Sequence, residues 1–265
     1  MTTIGIAQMA GLGHRPAENL HRADVLAGRA ADAGAALVCF PEQFTTGWSP
    51  HVPSGSGEGL EGPTVSALRR TARDHGIAVL GSFLEHTGGK PRNTAVAIDD
   101  AGTVVATYAK IHLFSPGGED RSCTPGEETA TFTVDGMTFG IAVCYDLRFP
   151  ELFRIYADAG ADCILVPSAW PCSRLRHFEL FVTARALENQ CYVLGINAAG
   201  GEEPDLPCGG SIAADPDGSI IARGDTNERL IFTELDRDRI RAARSRIPAL
   251  KDRKSDLYHR LLVNK

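Results

Sequence analysis

The feature that most restricts the fold of this chain is an internal repeat. Four short runs of the first half recur in the same order in the second half. The matched runs are IGIA from Ile4 and FGIA from Phe139, AGAALVCFP from Ala33 and AGADCILVP from Ala159, AVLG from Ala78 and YVLG from Tyr192, and AVAIDDAGTVVA from Ala95 and SIAADPDGSIIA from Ser211. One match alone means little, because strands draw on few residue types, but four in one order predict two halves of similar structure.

Helical patterns lie between the matched runs, over 18–33 and 64–75 in the first half and over 151–159 and 177–190 in the second. Each half is therefore predicted to run strand, helix, strand, helix, strand and then a hairpin. If each half covers one face of its sheet with its two helices, the two bare faces can pack on each other. We expect a four-layer α-β-β-α sandwich in one domain over residues 1–265.

A doubly wound nucleotide-binding sheet is the alternative fold. Its signature is a complete GxGxxG turn between a strand and a helix. The run GLG at Gly11 is incomplete and precedes a polar stretch, so the sandwich is preferred.

Composition and charge bear on the partners of the chain. Hydrophobic residues make up 43% and charged residues 23% of the sequence, as in ordinary globular proteins. The net charge of −6 disfavours nucleic acid as a partner, because phosphate binding needs clustered Lys and Arg. The basic stretch 237–253 is interrupted by Asp238 and Asp252, so we interpret it as a solvated helix face.

The N-terminus MTTIGIAQMA lacks the basic and apolar regions of a signal peptide. No apolar run approaches the roughly 18 residues that cross a bilayer. We therefore expect a cytoplasmic protein with no membrane partner.

The cysteines indicate a reducing compartment. Of the seven, Cys39, Cys144, Cys163 and Cys191 lie in or beside apolar, strand-like runs and not in a spaced disulfide framework. The sequence also lacks a CxxC pair and an HExxH motif, and its eight histidines are scattered, so no metal site is predicted.

Three reactive side chains each stand at the end of an apolar run. Cys144 follows FGIAV and precedes YDLRFPE, Glu42 comes just after ALVCF, and Lys110 closes VVATYAK. A thiol on a strand-to-helix turn lies near backbone N–H groups, a carboxylate can move its proton, and an ammonium can stabilise an oxyanion. Taken singly, each residue also fits an ordinary role: a buried cysteine, a loop glutamate or a lysine that ends a strand.

Taken together, the motifs around these residues resemble the nitrilase superfamily over nearly the whole chain, in that family's order and approximate spacing. The runs that carry the resemblance are FPE at Phe40, YAKIHLF at Tyr108, CYDLRFPE at Cys144 and ARALENQCYV from Ala184. The resemblance implies an α-β-β-α sandwich and assigns the family's Glu, Lys and Cys to Glu42, Lys110 and Cys144. Many members have a second glutamate in a pattern like ExRxxxPG, and EDRSCTPG places Glu119 there.

The resemblance implies hydrolysis of a carbon–nitrogen bond without metal or cofactor. Glu42 would take the proton of Cys144 as the sulfur attacks an amide carbonyl. Lys110 and the N–H of Tyr145 would hold the oxyanion, and Glu119 would orient Lys110 or the substrate amide. Glu42 would then protonate the departing ammonia and activate the water that hydrolyses the thioester.

The run that begins at Cys144 resembles the omega-amidase branch, which hydrolyses short monoamides of dicarboxylic acids. Nitrilases usually carry Cys-Trp-Glu at this point. N-carbamoyl amino-acid hydrolases carry CNDRRWPE, of which only Arg148 from the arginine pair is kept here. Both activities stay as alternatives. Trp48 and Trp170 are predicted to wall the acyl pocket.

The distal carboxylate of such a substrate needs a cation. Arg174, Arg176 or His177 is predicted to receive it, since an arginine fork pairs with a carboxylate in bidentate geometry. The Trp that commonly follows the histidine is Phe178 here, so the pocket departs from the branch at this point.

The resemblance also implies assembly. Family members usually pair through a helical face, so we expect a homodimer or a higher homo-oligomer, with the segment from about 237 to 265 in the interface. A catalytically silent assembly subunit is the non-enzyme alternative. All four expected catalytic residues are present, which favours an enzyme acting on a small-molecule amide.

Overall fold

The computed structural model describes residues 1–13, 15–200, 203 and 205–263. Within these ranges the first half contains β1 (Thr2–Gln8), α1 (Pro16–Asp32), β2 (Leu37–Cys39), α2 (Pro63–His75), β3 (Ala78–Glu85), β4 (Arg92–Ile98), β5 (Val104–Ala109) and α3 (Glu119–Ser122). The second half contains β6 (Thr131–Val134), β7 (Met137–Ile141), α4 (Pro150–Asp158), β8 (Cys163–Ser168), α5 (Leu175–Asn189), β9 (Tyr192–Asn197), β10 (Ile212–Ala214), β11 (Ile220–Arg223), β12 (Arg229–Leu235), α6 (Arg237–Arg246) and α7 (Ser255–Val263).

The four helices predicted between the matched runs are confirmed, with every boundary within two residues. Three of them begin at a proline: Pro16, Pro63 and Pro150. Proline suits the first position of a helix because its φ is already helical and the N–H it lacks would have no partner there.

The strands form two six-stranded sheets of the same internal order, β12-β1-β2-β3-β4-β5 and β11-β10-β9-β8-β7-β6. In each sheet three central strands are parallel, and a hairpin extends one side. The predicted repeat and α-β-β-α sandwich are therefore confirmed.

The edge strands β6 and β12 lie outside the predicted repeat. β6 precedes its neighbour β7 and pairs with it antiparallel, from Thr131 opposite Gly140. β12 comes from the second half of the chain yet pairs antiparallel with β1, with Thr2 opposite Leu235. The end of the second half thus completes the sheet of the first half.

Alternation along the strands separates the layers of the core. On β2, Leu37 and Cys39 belong to the cluster that includes the residues of the second sheet, whereas Val38 and the following Phe40 pack against α1 and α2. Successive strand residues point to opposite faces, so one strand contributes to two layers.

The basic stretch predicted as a solvated helix face contains α6, whose Ile240 and Ala243 are buried. Among the described residues, four arginines of α6 form ion pairs: Arg237 with Asp162, Arg239 with Asp215, Arg241 with Asp238 and Arg246 with Asp217. Among the residues that the structure describes, no helix combines the length and apolar character needed to span a membrane.

Candidate active site

The reactive residues singled out in the sequence meet at one edge of the sandwich. Glu42 follows β2, Lys110 follows β5 and Cys144 follows β7. β2 and β3 are parallel, and two antiparallel steps bring β5 back to the same direction, so β2 and β5 end on the same side. The inner faces of the two sheets bring the end of β7 to the same place.

Lys110 lies between two carboxylates. Its Nζ donates to Glu42 Oε1 at 2.8 Å and to Glu119 Oε2 at 2.9 Å, and all three side chains are fully buried. Glu119 also accepts from the Phe114 N–H at 2.7 Å. In the described part of the chain, no group of three or more His, Cys, Asp or Glu side chains is arranged to hold a metal ion.

Asn93 joins this cluster and was missed in the sequence. Its Nδ2 donates to Glu42 Oε1 at 2.7 Å and to Glu119 Oε1 at 3.0 Å, and the side chain is fully buried. The backbone carbonyl of Asn93 accepts from the Lys110 N–H at 2.8 Å. The only local signal for it is an asparagine near the start of the strand RNTAVAI, ahead of the apolar run AVAI.

The pKa values follow from this arrangement. Burial raises the pKa of Glu42, Lys110 opposes that shift, and the charge of Glu119 adds to it. Burial alone would lower the pKa of Lys110, but its two carboxylate neighbours hold it well above its usual value. Burial likewise acts to raise the pKa of Glu119, yet Lys110 and the hydrogen bonds to the carboxylate hold it below its usual value. The cluster therefore holds an ammonium and a carboxylate beside a glutamate with raised basicity.

Cys144 stands in a backbone conformation that few residues other than glycine adopt. Its φ is +48°, and it opens a 3₁₀ turn over Cys144–Arg148, with α4 beginning only at Pro150. Burial and the nearby Glu42 raise the pKa of its thiol well above the usual value, whereas Lys110 and the Ala169 N–H act to lower it. The resting thiol is therefore protonated and needs a base to become a nucleophile.

Asp146 holds the turn that carries Cys144. Its fully buried carboxylate accepts from the Val143 N–H at 2.8 Å and from the Tyr108 hydroxyl at 2.7 Å. Its other oxygen accepts from the His112 N–H at 3.0 Å and lies 2.8 Å from His112 Nδ1. Asp146 thus ties the cysteine turn to the chain on both sides of Lys110.

A cavity of about 280 Å³ opens beside Cys144. Four aromatic residues line this cavity: Trp48, Phe114, Tyr145 and Trp170. Of these, Trp48 and Trp170 are the two that the sequence predicts as walls of the acyl pocket. The structure also brings Arg148 and Arg174 into the lining. Arg176 and His177, by contrast, are exposed on α5 and do not line the cavity.

The two cavity arginines contact rings instead of acids. The guanidinium carbon of Arg148 lies 5.2 Å from the ring centroids of both Trp170 and Phe181, and that of Arg174 lies 5.4 Å from Phe114. Among the described residues neither guanidinium forms an ion pair, although Asp205 lies at the exposed rim. Both cations lie over aromatic faces at the cavity, where a bound anion could pair with them.

One disulfide departs from the expectation of cysteines in a reducing compartment. Cys172 and Cys208 are bonded, with their Cα atoms 5.4 Å apart, whereas the other five cysteines are free. The Cys172 N–H donates to the Leu206 carbonyl at 3.0 Å, so the two loops already run side by side along the cavity. The two cysteines are separated by 36 positions in the sequence, and no local pattern signals their proximity.

Comparison with known proteins agrees with this geometry. The family model described as carbon-nitrogen hydrolase matches residues 3–245. A 2-oxoglutaramate amidase of Bacillus subtilis is 31% identical over 92% of this chain and 94% of its own length, and an omega-amidase of Danio rerio is 33% identical over 91% of each chain.

The solved structure of an amidase from Nesterenkonia superposes with a TM-score of 0.87 at 30% identity, over 98% of this chain and 96% of that one. A further structure of that amidase shows acrylamide added to its active-site cysteine, and another assigns it to the nitrilase superfamily. This chain therefore belongs to the carbon-nitrogen hydrolase family of the nitrilase superfamily and is a thiol-dependent amidase.

Proposed function

We propose that this amidase hydrolyses the terminal amide of a short dicarboxylic acid monoamide to the dicarboxylic acid and ammonia. The observation that carries the proposal is the pair Arg148 and Arg174, which have no acidic partner among the described residues and line, with four aromatic side chains, the cavity beside Cys144. A guanidinium at a partly dehydrated site favours a planar carboxylate. The names of the relatives from B. subtilis and D. rerio support the same substrate class.

The proposed reaction starts with proton transfer from Cys144 to Glu42 while Sγ bonds to the amide carbon. The carbonyl π electrons move to oxygen, where Lys110 and the Tyr145 N–H stabilise the negative charge. As the C–N bond breaks, Glu42 gives its proton to the nitrogen, and ammonia leaves. Water then attacks the thioester, giving a proton to Glu42; the C–S bond breaks, and that proton returns to the sulfur.

Burial supports this use of Glu42. A carboxyl group with a raised pKa accepts a thiol proton more readily than an ordinary glutamate does, and it can still protonate an amine leaving group. Lys110 stays charged throughout because its pKa is raised by both carboxylates. Glu119, with its lowered pKa, is proposed to keep Lys110 in place.

Ammonia release tests the proposal. Purified wild type and a Cys144→Ala variant are assayed with dicarboxylic acid monoamides, simple aliphatic amides, N-carbamoyl amino acids and nitriles. We expect the monoamides to be the best substrates and the variant to be inactive. Carbon dioxide release from carbamoyl compounds at a higher kcat/KM would favour the carbamoyl hydrolase alternative, and ammonia from nitriles would favour the nitrilase.

Substitution of the cavity arginines separates carboxylate binding from catalysis. We expect Arg174→Gln and Arg148→Gln to raise KM for a monoamide about 10- to 100-fold, matching the roughly 1.5–3 kcal/mol of a charged hydrogen bond. KM for an uncharged aliphatic amide should change little. Arg176→Gln is the matched control: a rise in KM in this variant alone would assign the carboxylate to the exposed side of α5.

We also propose that the protein is a homodimer or a higher homo-oligomer. Leu180 and Leu187 on α5 are 62% and 56% exposed, and Ile155 on α4 is 52% exposed. The C-terminal helix α7 exposes Leu257, Tyr258 and Leu261, which supports placing the segment from about 237 in or near the same interface. Light scattering should give at least a dimer, and Leu180→Lys with Leu187→Lys should shift it toward the monomer.

We propose a cytoplasmic location, since a compartment that keeps thiols reduced would preserve the Cys144 thiol. Cell fractionation followed by thiol labelling tests this. Recovery of the enzyme mainly from a secreted fraction would contradict it.

A further inference from the structure

Asn197 makes three hydrogen bonds to the backbone through one fully buried side chain. It ends β9. Its Oδ1 accepts from the Trp170 N–H at 2.6 Å, and its Nδ2 donates to the Trp170 carbonyl at 3.0 Å and to the Gly209 carbonyl at 2.6 Å. The side-chain amide of Asn197 thus binds both the N–H and the carbonyl of Trp170, and it joins Trp170 to the loop that contains Gly209.

The segment that contains Trp170 also contacts the catalytic cluster. The Ala169 N–H, one peptide before Trp170, donates to Glu42 Oε2 at 3.1 Å. The same N–H acts to lower the pKa of Cys144. Glu42 bonds to Lys110 and Asn93 of the first sheet, and the Ala169 N–H is a backbone contact that reaches it from the second sheet.

The same segment and the loop that contains Gly209 both contribute to the cavity lining. Trp170 lines the cavity, and its indole Nε1 donates to the Arg174 carbonyl at 2.9 Å. Gly209 follows Leu206 and Pro207, which also line the cavity. Asn197 itself is absent from the lining, so it acts on the site through these residues.

We infer that Asn197 is a positioning residue that links the acyl cavity to the proposed base. It sets the Ala169 N–H against Glu42 and fixes the position of Trp170 relative to the adjacent Leu206–Pro207 loop. The peptide 169–170 is therefore aligned with the base before substrate arrives. The effect of Asn197 on Arg174, through the Trp170 indole, rests on the proposed carboxylate substrate. Its effect on Glu42 rests only on amide hydrolysis.

Asn19 offers a matched control within the same chain. It is also fully buried; its Oδ1 accepts from the Leu12 N–H at 3.1 Å, and its Nδ2 donates to the carbonyls of Leu12 and Thr45, both at 2.8 Å. It therefore makes the same pattern of bonds to the backbone, but its partners Leu12 and Thr45 do not line the cavity. Loss of either amide should lower the unfolding temperature to a similar extent.

The test compares Asn197→Ala with Asn19→Ala, using an uncharged aliphatic amide and a dicarboxylic acid monoamide. We expect Asn197→Ala to lower kcat for both amides about 100-fold, the scale of a misplacement of about 1 Å. Weakening the Ala169 N–H contact removes a bond to the ionised carboxylate, so the pKa of Glu42 rises and the acid limb of kcat/KM moves to higher pH. KM for the monoamide should rise as well. Asn19→Ala should leave both pH profile and KM unchanged.

Equal effects of the two variants on activity, or an acid limb that stays in place in Asn197→Ala, would overturn the inference and leave Asn197 a structural residue. If Asn197→Ala does not fold, Asn197→Ser keeps one hydrogen-bonding group and is measured in the same way. A wild-type enzyme that shows no preference for monoamides would refute the proposed substrate class, while the acid limb for the uncharged amide would still decide the role of Asn197.

Discussion

The two halves of the chain share one topology but supply the site in different ways. The first half contributes Glu42, Lys110 and Glu119, three charged side chains that hold one another in place with the help of Asn93. The second half contributes Cys144, a neutral thiol whose position depends on the backbone conformation of its turn. The two halves therefore share a frame but divide the roles in the site between them.

Charge pairing in the first half makes its groups depend on one another. A buried ion pair gains little net stability, but removing one partner leaves a charge without compensation, which typically costs 3–5 kcal/mol. In the second half the dependence is conformational. A non-glycine residue at positive φ costs of order 1–3 kcal/mol and persists only if its surroundings hold it. Asp146 makes the contacts that hold it.

The largest effect is expected from removing the central cation. Lys110→Met leaves Glu42 and Glu119 buried without it, so we expect the free energy of unfolding to fall by about 3–5 kcal/mol and kcat to fall about 1000-fold. Urea unfolding and ammonia release measure the two losses.

A triple variant with Lys110→Met, Glu42→Gln and Glu119→Gln sharpens the comparison. It removes all three charges together, so it should recover much of the stability and none of the activity. If the free energy of unfolding stays as low as in Lys110→Met, charge pairing is not what stabilises the cluster of Glu42, Lys110 and Glu119.

Asp146→Asn tests the conformational half. An asparagine keeps one acceptor oxygen but turns an NH₂ group toward N–H donors, so we expect a loss of about 1–3 kcal/mol in stability. Displacement of Cys144 should lower kcat up to about 100-fold with little change in KM.

Asp162→Asn is the matched control for this variant. Asp162 is a buried acid that accepts from the Thr138 N–H at 3.0 Å and pairs with Arg237, at the start of β8 and away from the cavity. It should lose stability and keep kcat. A similar fall in kcat in both variants would contradict the assignment of Asp146 as the residue that holds the Cys144 turn.

Glu119→Gln is expected to change the pH dependence more than the fold. The negative charge of Glu119 helps to raise the pKa of Glu42, after the larger effect of burial. Glutamine removes that charge while Lys110 stays, so the pKa of Glu42 should fall. Activity requires ionised Glu42, and the acid limb of kcat/KM should therefore move to lower pH. Asp120→Asn, an exposed neighbour on the same short helix, should leave the limb in place; a shift to higher pH in Glu119→Gln would contradict the assignment.

The smallest effect is expected from opening the disulfide. Cys208→Ser frees the two cavity loops from each other but leaves the hydrogen bond from Cys172 N–H to Leu206. KM for a monoamide should rise a few-fold while kcat for a simple amide stays the same. Denatured wild type, prepared without reductant, should show five free thiols; seven would contradict the bond itself.

Much of the fold could be predicted from local sequence patterns. The helices between matched runs appear with boundaries within two residues, since hydrophobic period and proline positions are local properties. The edge strands β6 and β12 were not predicted. β12 pairs with β1 across the whole length of the chain, and no local pattern encodes a pairing at that separation.

The residues of the site also fall into two groups, those that local motifs identify and those that only long-range contacts reveal. The motifs around Glu42, Lys110, Glu119 and Cys144 are local and resemble a family, so the sequence is enough to identify these residues. Asn93, Asp146, Ala169 and Asn197 act through contacts with residues distant in sequence, and each alone is an ordinary asparagine, aspartate or alanine.

The sequence by itself determined a duplicated α-β-β-α frame and which reactive side chains end its strands, because strand period, helix period and motif spacing are properties of neighbouring residues. Only the tertiary structure decided that Lys110 lies between two buried carboxylates, and that Arg148 and Arg174 line the cavity while His177 does not. It also decided that Cys172 is bonded to Cys208. These outcomes depend on how two sheets and their loops approach each other, and that approach is fixed by packing across the whole chain.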